Sequence, residues 1–405
     1  MNKGVFIVMF LCFGIFALHA QNDRPNIIFL LADDAGYADY EPYNEMFDIS
    51  DDVRINTPHV DRLADEGIMF TNAHSAGTVC QPTRYSIMTG RFSYRKLVTG
   101  NPALAGNPFI DSDEYTLPKM LQANGYQTAI FGKWHLDYAY QHKDNPNEMT
   151  ASPNQFDHVA PLPITPNDYG FDYAFWLDKG VSACKWFLVN RYIVKIDGEE
   201  SYNNLYPDRP QWKGHRRWLT SRYEAGEEFE LLPPENREII GDLLTDKALD
   251  YMEEAVANDK PFYVFLSSIA PHAPHLPKDS INSEPLAEGV EHFDGSEVDS
   301  DRQKMVYEND VILGQLMEQL ERLGIEENTI VVFASDNGPG APGANKEGST
   351  GHFRGNKGQA WEGGHRIPLI IKWPGFVKPG TRSDQLVSLT DLFGTFADVA
   401  GDEIP

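Results

Sequence analysis

Short apolar segments alternate along this chain with longer segments of helical periodicity, and this alternation limits the fold more than any other feature. Because strands joined by helical crossovers pair in parallel, the pattern predicts an α/β domain: a central, mostly parallel mixed sheet with helices on both faces. The predicted strands cover residues 27–31, 128–131, 262–266, 330–333 and 369–371. The predicted helices include residues 58–66, 117–124, 242–257, 306–323 and 389–399.

One stretch, from about residue 138 to about residue 230, breaks this alternation. It is rich in Asn, Pro, Asp and aromatic residues, and its periodicity is weak. We interpret it as long loops laid over one end of the sheet. Loops of that length in a compact domain are usually functional.

Polar side chains follow four of the predicted strands at the point where each strand ends. They are Asp33 and Asp34, Lys133 and His135, His272, and Asp336 and Asn337. In open parallel sheets, ligands bind beyond the carboxyl ends of the strands. The sequence therefore predicts one functional site at this edge of the sheet.

Four of these residues indicate a metal site. Asp33, Asp34, Asp336 and Asn337 offer only oxygen donors, which suit Ca²⁺ or Mg²⁺ and not zinc. Three carboxylates that converge without a cation would repel one another. Spacing alone does not separate calcium from magnesium, and Asp33 with Asp34 taken alone is also compatible with a turn or a helix cap.

The amino terminus indicates the location of the protein, and the net charge indicates which class of ligand it does not bind. Lys3, the apolar run 5–18 and Ala20 predict a signal peptide over residues 1–20 and hence an exported protein, periplasmic or secreted. The run is short for a membrane span, although an anchor is the alternative. Residues 22–405 then form one α/β domain. A net charge of −26 argues against nucleic-acid binding and requires any anion site to be locally basic.

The most specific motif is CQPTR at residues 80–84, followed by MTGR at 88–91. It predicts a short helix over residues 83–89, with Cys80 just ahead of it and Gly90 as its carboxyl-terminal cap. The motif resembles the signature of the formylglycine-dependent (type I) sulfatases of the alkaline phosphatase superfamily. Thr83 stands where that family usually has serine, and it keeps the hydroxyl group.

The resemblance covers most of the chain. Further matching motifs are NIIFLLADD at 26–34, GKWH at 132–135, GFD at 170–172, PHAPH at 271–275, SDNG at 335–338, GNKG at 355–358 and EGGHRIP at 362–368. The resemblance implies an alkaline phosphatase-like fold, a maturation enzyme that oxidises Cys80 to formylglycine, and one Ca²⁺ in preference to Mg²⁺. The implied metal ligands are Asp33, Asp34, Cys80, Asp336 and Asn337.

The resemblance also implies a mechanism for sulfate ester hydrolysis. A hydroxyl of the hydrated aldehyde made from Cys80 attacks sulfur, with Asp336 as the base. His272 protonates the leaving alcohol, and His135 deprotonates the second hydroxyl so that sulfate leaves. The cationic side chains of Arg84, Lys133 and Lys357 neutralise the sulfate oxygens.

The substrate is less constrained. His74, His275 and His352 are candidates for the leaving-group pocket, since they lie near the motifs. The stretch after residue 138 holds aromatic and basic residues that could bind a sulfated sugar or could simply pack on the domain: Trp176, Trp186, Tyr192, Trp212, Lys213, Arg216, Arg217 and Trp218. Two alternatives remain open. One is a phosphonate or phosphate ester hydrolase of the same superfamily, and the other is an exported glycan-binding protein without catalysis.

Two further expectations concern Cys184 and the end of the chain. Because modification consumes the thiol of Cys80, we expect no disulfide between Cys80 and Cys184. Family members normally continue past a helix such as 389–399 into a small carboxyl-terminal subdomain. The resemblance therefore leads us to expect a truncated chain whose last helix borders a bare apolar surface.

Overall fold

A computed structural model gives the fold of residues 24–403, with the exception of positions 48, 97–108, 112, 137, 139, 151–154, 180–185, 202–203, 205–215, 230–237, 283, 286–289 and 341–349. The predicted signal peptide and the residues Cys184, Trp212 and Lys213 lie outside the described residues. No helix of the described part of the chain combines the length and the apolar character needed to cross a membrane.

Eleven described strands form one twisted sheet, in the order β10-β9-β8-β7-β4-β11-β1-β14-β15-β2-β16. The strands of the structure are β1 (Asn26–Ala32), β2 (Ile68–Phe70), β3 (Ala73–His74), β4 (Gln127–Lys133), β5 (Tyr140–His142), β6 (Asn145–Thr150), β7 (Tyr173–Leu177), β8 (Phe187–Val189), β9 (Tyr192–Ser201), β10 (Arg216–Arg222), β11 (Phe262–Ser267), β12 (Ser280–Ile281), β13 (Glu284–Pro285), β14 (Thr329–Ser335), β15 (Leu369–Lys372), β16 (Thr381–Ser383) and β17 (Val387–Ser388). The five strands β7, β4, β11, β1 and β14 pair in parallel, which confirms the predicted fold class.

Helices cover both faces of the sheet. They are α1 (Glu41–Asn44), α2 (Pro58–Glu66), α3 (Cys80–Thr89), α4 (Leu117–Ala123), α5 (Ile240–Ala257), α6 (Asp301–Leu323), α7 (Glu362–His365) and α8 (Asp391–Ala400). Helices α2, α5 and α6 pack on one face, and α3, α4 and α8 pack on the other. All five predicted strands and all five predicted helices are present within a few residues of the expected bounds.

Strand β1 shows why the sheet needs two helical layers. All seven of its residues are buried. Successive side chains of a strand point to opposite faces, so Ile28 and Leu30 join one apolar cluster while Ile27, Phe29 and Leu31 join the other. A strand that is apolar on both faces is stable only when both are covered.

Helix α3 begins earlier than the motif predicted. Val79 has an extended backbone and is the N-cap, so Cys80 is the first residue of the helix instead of preceding it. Gly90 ends the helix with a φ of 65°, as expected, and a Cβ atom there would lie 2.8 Å from the ring of Phe393 in α8. Glycine at this position therefore lets α3 turn while it stays packed against α8.

The interpretation of residues 138–230 as long loops is wrong in large part. Strands β7 to β10 lie in this stretch and extend the central sheet, with β8, β9 and β10 added in antiparallel order. Strands β5 and β6 form a separate hairpin. The outermost of these strands, β9 and β10, mix charged and apolar residues, which explains why their composition looked loop-like.

Candidate active site

The carboxyl ends of the parallel strands bring the expected polar residues together at one edge of the sheet. Asp33 and Asp34 directly follow β1, and Asp336 and Asn337 directly follow β14. The last residues of these two strands are partners in the parallel register, so the two polar pairs start side by side. Lys133 ends β4, two strands away.

Hydrogen bonds fix Asp34 relative to Asp336 and Asn337. The backbone N–H of Asp34 donates to Oδ1 of Asp336 at 3.2 Å, and Nδ2 of Asn337 donates to Oδ1 of Asp34 at 2.8 Å. Asp34 has a φ of 67°, a conformation that non-glycine residues rarely adopt. The hydrogen bonds hold this strained turn, which aims the Asp34 carboxylate at the other acids.

Two lysines, the buried Lys133 and the partly exposed Lys357, neutralise the first two aspartates. Nζ of Lys133 lies 2.7 and 2.9 Å from the two carboxylate oxygens of Asp33, and Nζ of Lys357 lies 2.6 Å from the carboxylate of Asp34. Burial alone would raise the pKa of Asp33, but the charges of Lys133, His272 and Arg84 together outweigh it and hold that pKa below its usual 3.8. Burial lowers the pKa of Lys133 and the charge of Asp33 raises it, with a net upward shift. Both members of this pair are therefore charged.

Arg84 is a buried clamp on Asp336. Its Nε and Nη2 atoms donate to Oδ2 of Asp336 at 3.2 and 2.9 Å, and its Nη1 donates to the carbonyl of Lys133 at 2.7 Å and to the hydroxyl of Ser267. The Arg84 side chain is 1% exposed, so its contacts are with the protein and hardly with solvent. Arg84 thus orients one aspartate and fixes the end of strand β4.

The Cys80 side chain faces this carboxylate cluster from the first turn of α3. Its Sγ lies 3.3 Å from Oδ1 of Asp33 and 3.8 Å from Oδ1 of Asp34. Burial and then the charges of Asp33 and Asp336 raise the pKa of the Cys80 thiol well above its usual 9.0. The group is a protonated thiol near neutral pH and hence a weak nucleophile.

The donor set fits a hard divalent cation. Four buried side chains converge with oxygen atoms: Asp33, Asp34, Asp336 and Asn337. Oδ1 of Asn337 is buried and has no hydrogen-bond partner among the described residues. A buried amide oxygen without a partner costs free energy unless a cation or a donor reaches it. Asp33, Asp34, Cys80 and His272 also offer ligand atoms that all lie within 4.8 Å of one another.

Two histidines stand at the rim of the cluster. Nε2 of His272 lies 3.6 Å from Oδ2 of Asp34, and its Nδ1 lies 2.6 Å from the carbonyl of Ala273. A carbonyl only accepts, so Nδ1 carries a proton and Nε2 faces the cluster. His135 has a φ of 55°, and its N–H donates to the carbonyl of Asp178. Burial and then the charges of Lys133 and Arg84 lower the pKa of His135 well below 6.5, so this ring is neutral.

The three histidines predicted for the leaving-group pocket do not form one group with this cluster. Nδ1 of His74 lies 2.9 Å from Nδ1 of His365, and its Nε2 lies 3.0 Å from Oδ1 of Asn72. His352 is exposed and meets the ring of Phe47 edge-on. His275 is half-buried in the loop that follows His272.

Burial decides between the two roles that the sequence left open for the tryptophans after residue 138. Trp176, Trp186 and Trp218 are between 0% and 8% exposed and belong to the apolar clusters of the core. They pack the extended sheet and present no ring surface to a sugar. The ring of Tyr192 in β9 is covered by the guanidinium of Arg222 at 3.6 Å.

Sequence reasoning missed several residues that support the cluster. Asp178 directly follows β7, so the strand-end rule applied to β7 would have found it; it is buried, and burial raises its pKa to about 6. Arg302 of α6 forms a buried ion pair with Asp39 at 2.5 Å and donates to the carbonyl of Asp34 at 3.2 Å. No sequence signal joins Arg302 to this site, because Arg302 lies in a helix and does not follow the end of a strand.

Comparison with known proteins defines the class. Residues 25–402 match the family model described as Sulfatase, and the chain therefore belongs to the sulfatase family of sulfuric ester hydrolases. The chain is 28% identical over 415 residues to the N-acetylgalactosamine-6-O-sulfatase of Bacteroides thetaiotaomicron, with 95% of this chain and 74% of that relative covered. It is 31% identical over 388 residues to the N-acetylgalactosamine-6-sulfatase of Rattus norvegicus, with 93% of this chain and 62% of the relative covered.

A solved structure supports the same class. A sulfatase associated with the metabolism of multiple glycosaminoglycans by Bacteroides thetaiotaomicron superposes with a TM-score of 0.69 at 25% identity, and the match covers 95% of this chain and 79% of that one. The chain thus spans between 62% and 79% of the length of these three relatives.

Proposed function

We propose that this protein hydrolyses sulfate esters of a sulfated carbohydrate, with formylglycine made from Cys80 as the source of the nucleophile and one Ca²⁺ as the metal. One observation carries the proposal. The Cys80 side chain is buried at the start of α3, within 3.3 Å of Asp33 and 3.8 Å of Asp34, and each of these acids is paired with a lysine.

The environment of Cys80 argues against chemistry by the thiol itself. Its pKa is raised by burial and by the neighbouring acids, so the reactive thiolate is scarce. Oxidation by a maturation enzyme would instead supply an aldehyde whose hydrate carries an oxygen nucleophile. Helix α3 holds that position at its first turn, where the backbone N–H groups favour an anion.

Asp33, Asp34, Asp336 and Asn337 would hold the Ca²⁺. The free Oδ1 of Asn337 and the choice of oxygen donors support this assignment. When bound, the ion would neutralise the carboxylates and withdraw charge from the sulfate oxygens. Both oxygens of Asp336 already accept hydrogen bonds, from Arg84 and from the Asp34 backbone, so we assign Asp336 to metal binding in place of proton transfer. Arg84 is accordingly a positioning residue.

Lys133 and Lys357 provide the positive charge that an otherwise acidic chain needs to receive an anion. Both ammonium groups have raised pKa values, because the neighbouring acids outweigh burial, and both stay charged. A cation held rigidly in a buried site stabilises developing negative charge more than it would in water. We assign these two lysines to the sulfate oxygens.

The two histidines divide the proton transfers. Nε2 of His272 faces the cluster from its rim, which suits donation of a proton to the leaving alcohol. The neutral ring of His135 has a buried Nδ1 without a partner among the described residues, which suits acceptance of a proton. The carbonyl of Asp178 fixes the His135 backbone at 3.1 Å.

The substrate class rests on the relatives. Two of them are named for sulfate removal from N-acetylgalactosamine, and one structure is tied to glycosaminoglycan metabolism. We therefore propose a sulfated amino sugar or glycosaminoglycan fragment as the substrate. Export to the periplasm or the medium, as residues 1–20 predict, would bring the enzyme to such a polymer.

Substrate comparison tests this proposal against its alternatives. Enzyme that carries formylglycine is assayed with 6-sulfated N-acetylgalactosamine and with phosphonate and phosphate monoesters of matched leaving alcohols. We expect the highest kcat/KM for the sulfate ester and none with the variant Cys80→Ala. A higher kcat/KM for the phosphonate would support the phosphonate hydrolase instead. Glycan binding without turnover of any ester would support the non-catalytic alternative.

A further inference from the structure

A second group of metal-binding side chains lies outside the carboxylate cluster. His74 ends strand β3, while Glu362 and His365 are the first and last residues of α7. The ligand atoms of these three half-exposed residues all lie within 4.8 Å of one another. The Nδ1 atoms of the two histidines are 2.9 Å apart, and their ring centroids are 5.1 Å apart.

Backbone pairing brings the segments that carry the two histidines together. The N–H of Ser75 donates to the carbonyl of His365 at 2.8 Å, and the N–H of Ile367 donates to the carbonyl of Ala73 at 3.1 Å. These two bonds pair the segment after α7 with β3 in antiparallel fashion. The approach of the two backbone segments that carry the rings is therefore built into the fold.

The hydrogen bond of Nε2 determines which ring nitrogen of His74 carries the proton. Nε2 lies 3.0 Å from the amide oxygen of Asn72, which only accepts, so Nε2 carries the hydrogen. The lone pair of Nδ1 then points toward His365. Histidines that bind metals almost always donate their other N–H to an oxygen in this way.

We propose that Nδ1 of His74, Nδ1 of His365 and one carboxylate oxygen of Glu362 bind a divalent transition-metal ion of the zinc type. Two imidazoles and one carboxylate are a zinc donor set, in contrast to the all-oxygen set of the first cluster. Two nitrogens bound tetrahedrally to Zn²⁺ lie about 3.3 Å apart, so the rings need to separate by only about half an ångström. Oε2 of Glu362 is held by Arg366 at 2.7 Å, which orients its carboxylate.

The site would tie two segments of the active centre together. Helix α7 follows the loop that carries Lys357, and the N–H of Gly358 in that loop donates to the carbonyl of Thr78, two residues before Cys80. Strand β3 leads toward the same Cys80 helix. A metal between β3 and α7 therefore stabilises the loop of Lys357 relative to Cys80, and it does so whether or not sulfate esters are the substrate.

Titration with Co²⁺, a visible probe for zinc sites, tests the proposal on calcium-loaded protein that carries formylglycine, so that the thiol of Cys80 cannot bind the probe. We expect one equivalent of Co²⁺ with ligand-field absorption in the visible range, displaced by Zn²⁺, and a Zn²⁺-dependent rise in Tm. His74→Gln and His365→Gln lose the absorption and the rise, while His352→Gln keeps both.

The calcium-dependent Tm shift serves as the folding control and stays unchanged in all three variants. Absence of Co²⁺ binding to the unmutated protein overturns the proposal. So does absorption that survives in His365→Gln, since the ion would then lie elsewhere. Because no readout uses ester hydrolysis, these outcomes are separate from the success or failure of the proposed sulfatase activity.

Discussion

Replacement of Asn337 by alanine separates the metal-binding role of this residue from its structural role. The Asn337 side chain is 0% exposed; its Nδ2 donates to Asp34 and to the carbonyl of Gly338, both at 2.8 Å, and its Oδ1 has no partner among the described residues. Without calcium, the change loses a hydrogen bond to a charged acceptor, worth about 1.5–3 kcal/mol, and one to a carbonyl, worth about 0.5–1.5 kcal/mol, but it removes an unpaired buried oxygen that costs about 1–3 kcal/mol. The effects largely offset, so the calcium-free stability should fall by less than about 4 kcal/mol.

With calcium, these effects no longer offset. Oδ1 of Asn337 gains its missing partner when the cation binds, and the variant forfeits that gain of about 1–3 kcal/mol. Since about 1.4 kcal/mol corresponds to a tenfold change in affinity, the Kd for calcium should rise about 5- to 150-fold. The Tm increment that a fixed calcium concentration produces should shrink accordingly.

Calorimetric titration with CaCl₂ measures the Kd, and thermal unfolding with and without calcium measures the increment. Asn282→Ala is the matched control, because Oδ1 of Asn282 is also buried and unpaired while Nδ2 donates to Gln315, away from the carboxylates. Its φ of 46° adds strain to alanine, but this cost falls equally on both forms. An unchanged calcium Kd in Asn337→Ala would refute the assignment of Asn337 as a ligand.

Three other predictions follow from buried charges. Lys133→Met leaves Asp33 without its main cation, so the calcium-free protein should lose about 3–5 kcal/mol of unfolding free energy. The kcat should fall at least about 100-fold. A variant whose kcat equals that of wild type would contradict this role. The pKa of His135 is well below 6.5, so its ring stays neutral and able to accept a proton in mildly acidic solution. The acid limb of the pH profile of kcat/KM should therefore lie below pH 6.5 and vanish in His135→Gln. An acid limb above pH 6.5 that His135→Gln abolishes would contradict this role. Burial and then Asp242 raise the pKa of Glu308 from 4.5 to about 8, so its proton is retained only in the folded state and stability falls as pH rises through that range. The Tm of Glu308→Gln minus the Tm of wild type should therefore be larger at pH 9 than at pH 6. An equal Tm difference at the two pH values would contradict this.

The sequence predicted the central sheet and the gathering of the acids because both follow from local rules. Strand β1 is a continuous apolar run, and the residues that follow a parallel strand reach the same edge as those after its neighbours. Asp33 and Asp336 are 303 positions apart, yet the strand-end rule places them together. The same rule would have found Asp178 if β7 had been recognised as a strand.

The rest could not be predicted, because it depends on contacts that local patterns do not encode. Trp218 was a candidate for sugar stacking, but β10 turns its ring into the core, where its Nε1 donates to Asp242. His74 was a candidate for the substrate pocket, but the pairing of β3 with the segment after α7 gives it His365 as a partner. The decisive neighbour is brought in by the packing of α5 against β10 in the first case and by long-range backbone pairing in the second.

The role of Cys80 as the source of the nucleophile is tested by the rate of sulfate release as a function of the formylglycine content at Cys80. The protein is produced with increasing amounts of a formylglycine-generating enzyme, and peptide mass spectrometry gives the fraction of Cys80 converted in each preparation. We predict that sulfate release from a 6-sulfated amino sugar rises in proportion to that fraction and extrapolates to zero for the thiol form. Equal rates for fully converted and unconverted protein would contradict it, because a buried thiol with a raised pKa would then be sufficient for catalysis.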